Sequence, residues 1–425
     1  MTTASRHRRS GMRTSTLAAV VAILIAAMAT SLPLGAAETV TTPIPAPILT
    51  SNELLGQAAA NECFNGIGID YPPMNPDGTC PEGVPKTNES YIWGLTEESG
   101  RLWFGTMANA ACLLDGHGDG DASVSSLFVC EFGQSQYART FPAIPPALGD
   151  WRPPSIYSYD LATGTLAKRP MNDPLINKTL GFRGAGSIGN VAFLGGQSLA
   201  GNSANIFAFK ADTGQYLGSC ARTDYTYIRQ WRVVDGVLYV GVGSPTRGAV
   251  LRWDGNAASF RGNFCNAFTE VAHLTADAAN VALYTGGDGQ DRLAVTTVPI
   301  RTGGGGTGSG VGVWISPPLG TDGLTAGDAD GWRQVWSPLQ YDPDTIVGQF
   351  GYSGGAVQYF DGWLYWGTIH LQNSAAIRIH ETCTQPFCFG MPDTPKAPPA
   401  IEANVSRHAS VWRGRNLEDP STREI

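Results

Sequence analysis

Apolar residues in this chain fall in short runs broken by glycine, aspartate and asparagine, without the three-and-four spacing of a helix. One pattern recurs. Residues 361–368 read DGWLYWGT and residues 235–242 read DGVLYVGV. The same form, a turn pair, an apolar strand and a closing glycine, is legible as SGRLWFGT at 99–106 and GNVAFLGG at 189–196. A degraded copy, QDRLAVTT, lies at 290–297. Runs this short, rich in Val, Tyr, Phe and Trp and separated by Asp-Gly, Thr-Gly or Gly-Gly, predict antiparallel hairpins. A further strand follows several copies: SIYSYDLATGTL at 155–166, NIFAFKADTGQYL at 205–217 and AVLRWDGNA at 249–257. SVWRGRN at 410–416 resembles the last of these.

Recurrence at about 45–90 residues, with insertions, predicts the blades of a propeller rather than a sandwich. The expected fold is therefore all-β, a β-propeller of four-stranded antiparallel blades. Five copies give five blades, and the count rises to six or seven if residues 38–90 close the ring or a last blade is lacking. Trp363, Tyr365 and Trp366 are expected between blades, where large aromatics fill the wedge between twisted sheets.

In IYSYDLATGTL and IFAFKADTGQYL, an apolar pair and an acidic residue precede Thr-Gly and a closing apolar position. These units resemble the repeat of the quinoprotein-dehydrogenase-like propellers, over blades within roughly 91–380. That resemblance implies either an exported, non-catalytic binding or scaffolding platform or, as the alternative, a quinone-dependent oxidoreductase with its site at the channel mouth. Quinone-binding members share a disulfide between adjacent cysteines, an aromatic floor and calcium ligands. No Cys-Cys pair exists here, which sets the chain apart from those that bind the quinone cofactor PQQ.

Composition agrees with strands: 53 glycines and only 15% charged residues among 425 suit tight turns better than helices. Arg6, Arg8, Arg9 and Arg13 precede TLAAVVAILIAAMA and SLPLGAAE, the pattern of a signal peptide cleaved after Ala37. An uncleaved anchor is the alternative, because 17–36 is nearly long enough to span a bilayer. The reading is then a signal at 1–37, an extension with a disulfide loop at 38–90, a propeller at 91–416, and a tail or the start of an incomplete blade at 417–425. Cleavage leaves no stable membrane span and places the protein outside the cytosol, as a secreted, periplasmic or extracellular chain. Loss of four of the 28 basic residues leaves 24 against 36 acids, a net charge of −12 that excludes nucleic acid as a partner. The partner is left as a protein or small molecule of unknown kind. Eight cysteines follow the signal, and an even count in an exported chain predicts disulfides. Sequence neighbours give the pairing Cys63–Cys80, Cys112–Cys130, Cys220–Cys265 and Cys383–Cys388, with other pairings open.

Several motifs imitate chemistry. GYSGG at 351–355 matches a nucleophile elbow around Ser353, but a hairpin pattern follows where a helix is required. GAGSIG at 184–189 matches a dinucleotide fingerprint and again leads into a strand pattern. GGGGTGSG at 303–310 reads as a loop. His117, His273, His370, His380 and His408 form neither HxH nor HExxH, so no zinc site is expected. No catalytic residue is assigned. Asp115, Asp119 and Asp121 alternate on a loop between Cys112 and Cys130 and offer the hard oxygens that calcium prefers. GDADG at 327–331 is a weaker candidate of the same kind. Six residues before the turn, the copies carry Trp93, Arg183, Arg229 and Gly355. On inner strands these would ring one mouth of the channel, where arginines clamp carboxylate or phosphate or else make structural ion pairs. Glu97 and Glu98 read as exposed turn residues, and N-x-[ST] occurs at Asn88, Asn177 and Asn404. If the aspartate loop binds calcium, millimolar calcium raises the melting temperature and Asp119→Ala abolishes the rise; no shift in a thermal melt contradicts the assignment.

Overall fold

The computed structural model describes residues 53–65, 71–108, 152–300, 310–342, 352–370 and 409–425. The signal segment, Asp115, Asp119, Asp121, Cys112, Cys130, Cys383 and Cys388 lie outside the described residues. The chain divides into Met1–Glu53 and Leu54–Ile425, and every described element belongs to the second unit.

A small hairpin comes first. β1 (Glu62–Phe64) pairs with β2 (Val84–Lys86), and a Cys63–Cys80 disulfide closes the loop between them. Five antiparallel sheets follow in chain order. Blade one holds β3 (Glu89–Glu98), β4 (Arg101–Ala108), β5 (Ile156–Asp160) and β6 (Thr165–Lys168). Blade two holds β7 (Thr179–Ile188), β8 (Val191–Ser198), β9 (Ala204–Lys210) and β10 (Gln215–Arg222). Blade three holds β11 (Tyr227–Val234), β12 (Val237–Gly243), β13 (Gly248–Trp253) and β14 (Phe268–Leu274). Blade four holds β15 (Asp277–Thr285), β16 (Asp291–Val298), β17 (Val313–Ile315) and β18 (Arg333–Trp336). Blade five shows three strands, β19 (Tyr352–Phe360), β20 (Trp363–His370) and β21 (Val411–Gly414). The fold is a β-propeller of four-stranded blades, as the repeat predicts.

Each copy of the repeat is the first turn and second strand of a blade. The turns are Ser99-Gly100, Gly189-Asn190, Asp235-Gly236 and Asp361-Gly362, with positive φ at both residues of each pair. That geometry matches the right-handed twist of the strands that it joins. Blade four uses a longer turn instead. There Arg292 donates to both oxygens of Asp288, at 2.9 and 2.7 Å, which holds that carboxyl down at about 2.

Apolar side chains leave alternate faces of each sheet for the two neighbouring blades. On β9, Ile206 and Ala208 pack toward blade three with Trp231, Leu238 and Val240. Phe207 and Phe209, between and beyond them, pack toward blade one with Trp103 and Ile156. Blades three and four share a core around Tyr239, Val281 and Leu293, and blades four and five one around Trp336, Trp366 and Leu417. Four cores therefore occupy four interfaces, and burial on both faces explains the near-continuous apolar runs. Trp366 fills its wedge as expected, 5.5 Å from Trp336. Trp363 does not. Its ring lies under Arg413 and Arg415 of its own blade and the segment after it, at 4.2 and 4.5 Å.

The closing glycine of the repeat marks where consecutive blades nest. Inner strands pack in order, β3 on β7, β7 on β11, β11 on β15 and β15 on β19. A Cβ at Gly105 would lie 2.5 Å from Phe182, one at Gly195 2.9 Å from Ile228, and one at Gly241 3.0 Å from the Ala278 carbonyl. In blade four the bulk changes sides: Thr296 replaces the glycine, and its partner on β19 is Gly354, whose Cβ would come within 2.6 Å of it. The degraded copy thus keeps one glycine per pair. At Gly367 a Cβ would meet nothing within 4 Å among the described residues, and Ile92, the corresponding residue of blade one, is 58% exposed.

Outer edges are tied as well. The Cys220–Cys265 disulfide joins β10 of blade two to the short 3-10 helix Phe264–Ala267 ahead of β14. Cys63–Cys80 and Cys220–Cys265 are both as expected. The segment after β21 turns back on blade four: the Leu417 amide donates to the Tyr284 hydroxyl at 2.8 Å, which donates to Glu418 at 2.7 Å. Residues 417–425 form no strand beyond an Arg415–Glu424 bridge. Among the described residues no helix is long and apolar enough to cross a membrane.

The nesting makes equivalent glycines unequal. Gly105→Ala forces Phe182 aside and lowers stability by about 1–3 kcal/mol, whereas Gly367→Ala is neutral or raises it by about 0.4–1 kcal/mol. Urea midpoints of the two variants check this; equal losses contradict it.

Candidate functional site

Trp93, Arg183, Arg229 and Gly355 all fall on β-bulges of the inner strands. Blade four has the same irregularity at Ala279. A bulge leaves backbone and side chain free to turn toward a neighbour. The Gly355 carbonyl accepts from Asn280 Nδ2 at 2.7 Å and Thr296 Oγ1 at 2.8 Å, both on blade four. Gln230 Oε1, beside Arg229, accepts from the Val281 amide at 2.8 Å. Arg183 brings its guanidinium 4.4 Å over the half-exposed Trp93 ring of blade one. Arg229 lies 6.0 Å from Tyr227 on its own strand. The structure therefore joins Trp93 to Arg183 by a cation–π contact, and Arg183 and Arg229 stack on different rings. The turns are joined too: Ser99 donates to Asn190 at 2.8 Å, and Glu98, expected as a plain turn residue, accepts from the Asn190 amide at 3.1 Å.

Motifs discounted in the sequence stay discounted. Ser353 and the glycines of GYSGG from Tyr352 onward lie in β19, and GAGSI lies within β7. GDADG is corrected. It forms the 3-10 helix Ala326–Gly331, in which Asp328 Oδ2 accepts from the amide and hydroxyl of Thr325 at 2.7 and 2.8 Å. Asp330 contacts His273 Nδ1 at 2.5 Å, and His273 Nε2 is 3.0 Å from Glu270. These acids cap a helix and link blades three and four, and no metal cluster occurs among the described residues. Asn88, one of the three N-x-[ST] matches, is fully buried, and its side-chain amide donates to Asn61 at 2.7 Å.

Asn88 lines a cavity of about 340 Å³ between the disulfide-closed extension and blade one. The extension runs beside the outer strand, with Gly56 against Leu166 of β6. Asn61 is fixed where its amide donates to the Lys86 carbonyl at 2.9 Å. Across the cavity, residues 152–156 are held to β4, because the Ser155 amide donates to Thr106 Oγ1 at 2.9 Å. These two supports set Asn88 and Glu89 against Arg152, Lys168 and Arg169, all of which line the cavity.

Glu89 Oε1 accepts from Ser155 Oγ at 2.8 Å and Tyr157 at 3.5 Å, with Lys168 Nζ at 3.6 Å. Glu89 Oε2 and Asn88 Oδ1 are buried and have no hydrogen-bond partner among the described residues. Behind them, buried Glu62 pairs with Arg152 and, at 3.4 Å, with Lys86. Arg169 donates to Ser158 and stacks over Trp103 at 5.4 Å; burial, and then the charge of Arg101, lowers its affinity for a proton. Burial, followed by the Glu89 charge, pushes the Tyr157 phenol up to about 12. Sequence reading missed this group, because its members come from separate segments.

Among solved structures, the chain is similar to a nidogen/laminin complex at 11% identity and a TM-score of 0.32, over 75% of this chain and 89% of that one. It is also similar to the exo-β-1,3-galactanase of Phanerochaete chrysosporium (9%, TM-score 0.32, 66% of this chain and 60% of that one). A luciferin-regenerating enzyme gives 8% identity and a TM-score of 0.33, over 67% of this chain and 71% of that one. No protein-family model matches the chain, and no curated protein matches it in sequence. Likenesses this distant carry no functional argument, and the blade assignment stands on the sheet topology.

Proposed function

We propose that this protein is an exported, propeller-type binding module, without catalysis of its own, that takes a small polar ligand beside blade one. One observation carries the reading: a single cavity of about 340 Å³ is lined by Asn61, Asn88, Glu89, Arg152, Lys168 and Arg169, polar and charged residues that converge from the extension and blade one. The two disulfides suit an oxidising compartment, which is where the basic-then-apolar N-terminus would direct the chain.

The second reading is a quinoprotein-type oxidoreductase, with calcium and PQQ as its cofactors. It rests on the Thr-Gly units and on the exposed Trp93 ring with Arg183 stacked upon it. Two measurements on the purified protein separate the readings. A thermal-shift panel of amino acids, sugars, sugar acids and polyamines should give at least one class that raises the melting temperature in wild type and not in Glu89→Gln. Incubation with PQQ and calcium, followed by gel filtration, should leave no chromophore on the protein. A retained chromophore, or a panel with no Glu89-dependent shift, overturns the binding-module reading.

A further inference from the structure

We propose that the outer edge of blade five binds an extended acidic segment of a partner protein, which adds to β21 as a fourth strand. The segment would alternate apolar and acidic residues. This surface is separate from the cavity beside blade one, and the inference stands without the reading of that cavity.

The edge is open where the other blades are closed. Blades one to four each place a fourth strand, β6, β10, β14 or β18, outside the third. Blade five shows none beyond β21 among the described residues. The register identifies the backbone groups left over. The Thr368 amide donates to the Ser410 carbonyl at 2.8 Å, and the pairing continues as Trp366 with Trp412 and Leu364 with Gly414. Alternate residues of an antiparallel strand bond to opposite sides, so Val411, Arg413 and Arg415 turn their amides and carbonyls outward. Arg415 already uses its pair: its amide donates to the Glu424 carbonyl at 3.0 Å, and its carbonyl accepts from the Glu424 amide at 3.1 Å. Val411 and Arg413 have no such partner among the described residues, and Val411 is 80% exposed.

The side chains say what the added strand carries, because residues paired across a ladder share a face. Trp412 points toward blade four, its ring 5.3 Å from that of Trp336 and 4.8 Å from that of Tyr341, which remains 56% exposed. An apolar residue opposite Trp412 would cover that tyrosine and take apolar surface out of water. Arg413 points to the other face, over Trp363 at 4.2 Å. It has no carboxylate partner among the described residues. Arg415, next but one on the same face, has Glu424 opposite it, bridged at 2.7 Å. An acid opposite Arg413 would repeat that pair. A second copy of the edge answers less well: pairing two β21 strands puts both Arg413 side chains on one face and supplies no acid to either. Strand addition of this kind draws affinity from the backbone and specificity from alternate side chains.

Fluorescence anisotropy of labelled synthetic peptides against the full mature chain tests this. One peptide alternates glutamate and valine. A second has lysine for each glutamate, and a third keeps the acidic sequence but is N-methylated at each glutamate, which removes the donors that face the edge. The expected result is saturable binding of the acidic peptide, with the other two at least tenfold weaker. Val411→Pro removes one outward amide and none that bonds to β20, so the melting curve is kept and acidic-peptide binding falls at least tenfold. Arg413→Glu, on an exposed side chain, should turn the preference toward the lysine peptide, which decides the matter even if the proline variant unfolds. Equal binding of the N-methylated or the lysine peptide to wild type overturns the proposal. No rise in anisotropy with the acidic peptide overturns it too. Self-association on gel filtration that Val411→Pro abolishes overturns it in favour of a second copy.

Discussion

The fold depends on the close approach of consecutive inner strands. The sheets of blades two, three and four are buried on both faces, so their apolar residues are satisfied only when a neighbour lies on either side. The neighbours approach to backbone distance because one member of each facing pair, Gly105, Gly195, Gly241 or Gly354, has no side chain. A bulge follows directly on β7, β11, β15 and β19, and three of them carry contacts to a neighbouring blade: Arg183 stacks on Trp93 of blade one, Gln230 accepts from Val281 of blade four, and the Gly355 carbonyl accepts from Asn280 and Thr296 of blade four. Close packing of this kind leaves no slack for an added methyl group where a pair is complete.

The candidate site lies where this regularity stops. Beside blade one the described covering layer is the disulfide-closed extension, which meets Leu166 of β6 at Gly56 and Arg152 at Glu62. Glu62 with Arg152, and Asn61 with Asn88, are the contacts of that layer. A surface built by two segments of different kind does not satisfy every polar atom, and the two unmet acceptors are the result. Inner-strand arginines, by contrast, sit in the regular part of the fold, where Arg183 is engaged with the indole of the preceding blade.

Much of the architecture was legible because it repeats. A tight turn with two residues at positive φ allows few residue types, so Asp-Gly, Ser-Gly and Gly-Asn announce the same hairpin. The offset of six residues from that turn found the bulge positions in four blades without any knowledge of bulges. It could not show that Trp93 and Arg183 would meet, since a partner on another strand leaves no trace in spacing. Blade four was read as degraded because its glycine had moved across the interface, from the Thr296 position to Gly354, which a strand-by-strand reading does not compare. The cavity was illegible for a related reason. Asn61, Glu89, Arg152 and Lys168 are neighbours only after the extension has folded over blade one.

The nesting of blades is tested most directly by a double-mutant cycle across one pair, Gly195 on β8 and Ile228 on β11. A Cβ at 195 would meet three side-chain carbons of Ile228 and nothing nearer, so truncating the isoleucine removes the obstruction. Chemical denaturation of the wild type, Gly195→Ala, Ile228→Ala and the double variant measures the coupling. The account predicts that Gly195→Ala costs at least about 1 kcal/mol less in the Ile228→Ala background than in the wild type. Additivity within about 0.3–0.5 kcal/mol would mean that the two strands do not meet there, and would contradict it.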